Sequence, residues 1–307
     1  MIQKISMNVP STDGIHTLRG IVYLPDEPKG IVQISHGMVE HIARYDAFMT
    51  YLAENGYIAC GHDHLGHGKT AENDSELGFI AEKKGNLLLA EDVYAFGCAV
   101  KEKYPALPMT LLGHSMGSFI ARNTAAVHPD ACDALIIMGT GGPNPLSAPG
   151  LALTAVIGKL FGKKYVSKLS YTAAFGTYNQ RTDGENPMAW LTRDPDEIRK
   201  HDADKFCMFP FTVSAMHDLI RLQADANDKK WFASIRKDLP ILIVSGAEDP
   251  VGGYGKGIDE VMLRLAENGA KNVTKKIYPE MRHEILNEFG RETVYADILS
   301  FIQLQNL

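Results

Sequence analysis

The 307-residue chain predicts an α/β domain: a mostly parallel sheet with helices on both faces, broken once by a helical insertion. Three observations carry that expectation. Short apolar, β-like runs alternate with helical periods over residues 1–142, the alternation stops over 143–236, and it resumes over 237–307. Strands separated by helices pair in parallel because each crossover needs a helix-length of chain, and those helices then cover both faces. The expected division is a core domain of 1–142 and 237–307 with a helical cap of 143–236. The cap should sit over the C-terminal edge of the strands, where open α/β sheets bind ligands.

Each element has a local reason. Gln3–Val9 and Thr17–Leu24 read as an opening pair of strands around the turn Ser11-Thr12-Asp13-Gly14, and Gly30–Ser35 as a buried strand. Ile42–Asn55 places Tyr45, Phe48, Met49 and Leu52 at helical spacing and stops at Gly56, a helix-ending residue. Tyr57–Gly61 is a further strand, and Leu87–Tyr104 a helix closed by Pro105. The run Met109–Leu112 turns into a helix over Phe119–His128, and Ala134–Met138 is the next strand. In the insertion, Ala148–Phe161, Asp196–Asp202 and Val213–Ala226 are helical. Pro240–Ser245 and Val273–Tyr278 restore the strands, followed by helices over Gly257–Asn268 and Arg291–Leu304.

Composition narrows the function. The 31 basic and 37 acidic residues give a net charge of −6 with no long run of either sign, which disfavours nucleic acid and offers no basic patch to an anionic membrane. Cys60, Cys98, Cys132 and Cys207 form no CxxC pair, so reduced core thiols are expected rather than disulfides or zinc ligands. The first residues lack the apolar core of a signal peptide, and no uncharged apolar stretch reaches the roughly 18 residues of a membrane span. A cytoplasmic location is the expectation.

The chemistry concentrates in Gly113-His114-Ser115-Met116-Gly117, a serine at a strand-to-helix junction flanked by glycines. So tight a turn leaves no room for a Cβ on either side and lifts the hydroxyl above the sheet edge. A serine needs a base, and the base an acid that fixes its tautomer. In this architecture the acid and then the histidine follow the serine in chain order. Ile241–Ser245 runs into Glu248-Asp249-Pro250, and Lys275–Tyr278 into Arg282-His283-Glu284. The candidate catalytic residues are therefore Ser115, Asp249 and His283, with Glu248 as the rival acid. His114, His128, His201 and His217 are read as structural or solvent-facing. The oxyanion donors expected are the backbone N–H groups of Met116 and Met38, with Gly37 in Ser35-His36-Gly37-Met38 allowing close approach to substrate.

Five blocks in this order resemble the α/β-hydrolases, and within them the monoacylglycerol lipase and lysophospholipase-like serine hydrolases: His36-Gly37-Met38-Val39-Glu40-His41, Asp63–Thr70, Gly113–Gly117, Gly246–Pro250 and Arg282-His283-Glu284. The resemblance spans nearly the whole chain. It implies an eight-stranded α/β-hydrolase sheet with a helical cap, no cofactor, and esters with one long acyl chain, monoacylglycerols or lysophospholipids, as substrates. This chain has Leu65 where the family usually carries Arg. Phe206, Met208, Phe209 and Phe211, with His36 and Gly37, are candidate substrate contacts; the family generally has Gly at Met208, so the larger side chain would shorten or reshape the acyl pocket. A short-chain or aryl esterase, thioesterase or acyltransferase would use the same triad. Epoxide hydrolases and dehalogenases need a carboxylate where this chain has Ser115.

Two further signals have competing readings. His62-x-His64-x-x-His67 resembles half of a metallohydrolase ligand set, but Gly66 stands where those sites carry Asp, and no second ligand group completes the shell. It is read as a loop-shaping turn, with no metal. Gly150–Phe161, followed by Lys163-Lys164, is either a packed helix or a lid touching lipid or micelle surfaces transiently. Tyr171, Phe175, Tyr178 and Trp190 either form the core of the insertion or line an acyl tunnel.

Overall fold

A computed structural model describes residues 1–182 and 186–305. The strands are β1 (Gln3–Pro10), β2 (Thr17–Leu24), β3 (Gly30–Ser35), β4 (Tyr57–His62), β5 (Met109–His114), β6 (Ala134–Met138), β7 (Ile241–Gly246) and β8 (Val273–Tyr278). They form one sheet in the order β1-β2-β4-β3-β5-β6-β7-β8. The pairs β1–β2 and β2–β4 are antiparallel, and every later pair is parallel. This is the α/β-hydrolase fold.

The inner strands β3, β4, β5, β6 and β7 are fully buried and largely apolar because both faces are covered, whereas the edge strand β8 exposes Thr274, Lys275 and Lys276. Leu111, Leu135, Ile137, Ile241 and Ile243 face α2 (Gly85–Lys103), α3 (Met116–Val127) and α9 (Lys256–Glu267). Their neighbours Leu112, Ile136, Leu242 and Val244 face α1 (Asp46–Glu54) and α10 (Arg291–Gln305). Between β6 and β7 lie α4 (Ser147–Phe161), α5 (Lys168–Phe175), α6 (Pro195–Ala203), α7 (Val213–Ala226) and α8 (Lys229–Ser234), with no strand among the described residues. Phe209, Phe211, Met216, Leu222, Trp231 and Phe232 join these helices to the apolar cluster on the α2–α3 side.

Several elements differ from the sequence expectation. Ile42–Tyr45 is a 3₁₀ turn preceding α1, and the Asp63 carboxylate accepts the Ile42 N–H at 2.9 Å, fixing that start from outside the helix. The helix α3 begins directly at Met116, three residues earlier than its apolar period suggests. The short helices α5 and α8 had no counterpart in the sequence pattern.

Candidate active site

Because β3, β5, β7 and β8 run parallel, the loops that follow them share one edge of the sheet. Ser115 occupies the corner between β5 and α3 with φ 54° and ψ −120°. A non-glycine residue there carries strain of about 1–3 kcal/mol, which the surrounding packing must hold. The flanking glycines make that packing possible. A Cβ on Gly113 would lie 2.2 Å from the Gly117 carbonyl oxygen, and one on Gly117 would lie 2.0 Å from that of Ser35. Met116 is the first residue of α3, where helix geometry gives the backbone N–H no partner four residues earlier.

On the loop after β8, His283 is 1% exposed, and its Nδ1 lies 3.0 Å from Asp249 Oδ1. Asp249 is fully buried, whereas Glu248 faces solvent. Asp249 Oδ1 also accepts the Val251 N–H at 2.8 Å, and Oδ2 accepts the Ser245 hydroxyl at 3.1 Å. Burial pushes this carboxyl up, but the His283 ring and the two donors outweigh it and hold it below the usual carboxylate value. The His283 ring is set between two others, His114 at 4.8 Å and Trp190 at 5.0 Å between centroids. His114 immediately precedes Ser115, so this contact brings the histidine loop onto the β5 corner.

The segment after β3 closes on the same point. A Cβ on Gly37 would lie 3.2 Å from Ser115 Cβ and 2.6 Å from Glu40 Oε1, so the glycine permits a close approach that no side chain would. Its orientation is fixed twice. Glu40 Oε1 accepts the Gly37 N–H at 2.5 Å. His36 Nε2 accepts the His64 N–H at 3.0 Å, which leaves Nδ1 as the protonated nitrogen, 2.8 Å from the Gly37 carbonyl. That carbonyl belongs to the same planar peptide as the Met38 N–H, so holding one end aims the other.

A buried ionic network braces these loops, and the sequence reading assigned it no role. Arg44 makes two parallel bonds of 2.7 Å to Glu284, beside His283, and one of 3.0 Å to Glu40. Glu40 also accepts the Tyr45 hydroxyl at 2.8 Å and stands 3.2 Å from His114 Nδ1. Burial pushes Glu284 up, but Arg44 overrides it and brings the carboxyl down to about 2. His114 moves the other way: burial lowers its basicity, and Glu40 raises it above the ordinary imidazole value.

Among the described residues the rings on His283 are those of His114 and Trp190, while Phe209 and Phe211 join the apolar cluster that holds Met116, with Met38 packed against it. Phe206 packs on His41, Phe209 and Phe211 pack on His67, and Met208 is 54% exposed. The row that reaches His283 is Tyr171, Phe175, Tyr178 and Trp190, with successive centroids 5.0–5.4 Å apart. Leu65 is buried in the main apolar cluster. His62, His64 and His67 are buried with His36 beneath the loop after β3, and neither nitrogen of His62 meets a partner among the described residues. The other histidines are engaged elsewhere: His128 with Glu91, His201 with Asp202 and His217 with Thr154.

Residues 26–290 match the family described as serine aminopeptidase, S33. The chain is 26% identical to a monoacylglycerol lipase of Mycolicibacterium smegmatis over 96% of its own length and 98% of the relative's. It is 30% identical to a monoglyceride lipase homolog of Monkeypox virus over 90% of each chain. A crystal structure of a highly thermostable carboxyl esterase from Bacillus coagulans superposes over the whole of both chains, with a TM-score of 0.92 and 32% identity. No helix of the described residues is long and apolar enough to cross a membrane. The chain belongs to the serine aminopeptidase, S33 family of α/β-hydrolases and is a serine hydrolase similar to the monoacylglycerol lipases.

Proposed function

We propose that the protein hydrolyses a carboxylic ester bearing one lipid-like acyl chain, a monoacylglycerol or lysophospholipid, through an acyl-enzyme on Ser115. The hydroxyl attacks the ester carbonyl while His283 takes its proton. Asp249 holds the imidazole by Nδ1 and stabilises the imidazolium, and the Met38 and Met116 N–H groups receive the oxyanion. His283 then returns the proton to the leaving alcohol. Water, deprotonated by the same imidazole, attacks the acyl carbonyl, and the acid leaves with Ser115 restored.

The observation that carries this reading is the buried Asp249–His283 pair of 3.0 Å, whose imidazole rests on the residue preceding Ser115. Support for a lipid-like acyl group comes from the aromatic row ending on His283 and from α4, read as part of a cap over the site. That helix buries only Thr154 and Ile157 and leaves Val156, Leu160 and Phe161 more than half exposed, an apolar face suited to transient contact with a lipid or micelle surface. Among the described residues the four cysteines are unpaired, as suits a reducing, cytoplasmic setting.

A fluorophosphonate probe should label Ser115 alone, and Ser115→Ala should lose both label and esterase activity. Retained activity in that variant defeats the proposal. The likeness to a carboxyl esterase supports a second reading, a preference for shorter acyl chains. Rates against p-nitrophenyl esters of increasing length separate the two: a maximum at acetate favours the second, and a rise to medium or long chains the first.

A further inference from the structure

We propose that His41, Asp204 and Cys207 form a zinc site joining the segment after β3 to the 3₁₀ turn Lys205–Cys207 of the insertion. One ligand atom from each side chain, an imidazole nitrogen, a carboxylate oxygen and the thiol sulfur, lies within 4.8 Å of the other two. His41 Nε2 and Asp204 Oδ2 are already 2.8 Å apart. The edges of a tetrahedral zinc shell built from nitrogen, oxygen and sulfur span about 3.3–3.6 Å, given metal–ligand bonds of about 2.0–2.3 Å. The set therefore reaches that shape by side-chain movements of about 1 Å.

The chemistry of the trio matches a borderline-soft dication. Asp204-x-x-Cys207 is a local chelate on one short turn, and His41 supplies the third ligand from across the interface. Asp204 is preset by the Phe206 N–H, which bonds its other oxygen at 2.9 Å. Cys207 closes the inner side, while His41 and Asp204 are partly exposed and leave a path for the ion and for a water as fourth ligand. Binding shifts the His41 proton to Nδ1 and releases one proton, that of the Cys207 thiol. Because His41 follows Glu40, which holds the Gly37 N–H, the metal fixes the insertion against the segment that carries Met38.

The test uses the full chain, stripped with a chelator and titrated with Zn²⁺ and with Co²⁺ as its spectroscopic substitute. We expect one equivalent bound, a rise in Tm with Zn²⁺, and a thiolate-to-cobalt charge-transfer band. Cys207→Ser should abolish the band, Asp204→Asn should weaken binding at least about tenfold, and Cys98→Ser should leave both unchanged. Absence of the band in the folded wild-type protein overturns the proposal, as does its persistence in Cys207→Ser. The wild-type spectrum decides the matter even where a variant fails to fold.

Discussion

Replacing Asp249 by Asn separates the charge of the proposed catalytic acid from its geometry, and the structure specifies which is lost. Oδ1 accepts the Val251 N–H at 2.8 Å and faces His283 Nδ1 at 3.0 Å, so an amide NH₂ at that position would set two donors against each other. The amide therefore turns its oxygen to the Oδ1 position. Its NH₂ takes the Oδ2 position, where the Ser245 hydroxyl becomes the acceptor by redirecting its hydrogen to the Gly246 carbonyl, 3.3 Å away. The imidazole keeps its tautomer and loses only the negative charge that stabilises its protonated form. Opposite unit charges about 4 Å apart at an effective dielectric of about 20 attract by about 4 kcal/mol. With relaxation, a loss of about 2–4 kcal/mol is expected, or about 30- to 1,000-fold in kcat. A wrong tautomer would cost about 10⁴-fold. The assay is steady-state hydrolysis of a p-nitrophenyl ester by folded protein, with Glu248→Gln as a control expected to fall within about twofold of wild type. A kcat within threefold of wild type for Asp249→Asn would refute the role of Asp249. A loss near 10⁴-fold would refute the argument from Val251.

Gly37→Ala should lower kcat by about 10²–10³-fold, the effect of losing one oxyanion donor, with a small change in KM, because the added methyl forces the 36–38 segment away from Glu40 and Ser115; unchanged kinetics would contradict the placement of Met38. Arg44→Met leaves Glu40 and Glu284 buried without their cation and should cost about 3–5 kcal/mol in urea unfolding, with Arg44→Met/Glu284→Leu costing less than the single change; a loss below about 1 kcal/mol would show the network to be superfluous. Acid stability follows from the depressed values. Burial holds His36 at about 4 and His62 and His67 at about 3, and Arg44 overrides burial to hold Glu284 at about 2. The unfolded chain binds these protons first, so the stability these four groups contribute is full well above pH 6.5 and falls as pH drops, first through the histidines and below about 4.3 through Glu284 as well; His114, raised by Glu40, acts the other way and loses its contribution as pH rises. His62→Leu removes a buried ring whose nitrogens meet no partner among the described residues, so ΔG should rise at pH 7 and its slope below pH 6 should ease by up to about 1.4 kcal/mol per pH unit; an unchanged slope would refute the histidine contribution.

Much of the fold was legible because its signals are local. The buried strands β3, β5, β6 and β7 are short, largely apolar runs, and chain order alone aligns their loops on one edge. The start of α3 was not, since Met116 enters the helix through the forced conformation of Ser115 rather than through apolar spacing. The eight residues of α5 and six of α8 are too short for a period to register. At the site, Ser115, Asp249 and His283 stand in recognisable loop contexts, whereas Arg44 and Glu284 lie 240 residues apart and nothing local pairs them. Aromatic content marked the insertion as rich in rings, but whether Trp190 or Phe209 meets His283 depends on how that segment folds back.

Ester hydrolysis at this site requires a covalent acyl group on the serine of the β5–α3 corner. Rapid acid quenching during turnover of a slowly deacylating ester, followed by peptide mass spectrometry, tests it most directly. One acyl adduct is expected, on the peptide containing Ser115, and it should disappear as substrate is exhausted. An adduct on any other residue, or turnover with no adduct under conditions that trap one on a known serine esterase, would contradict it.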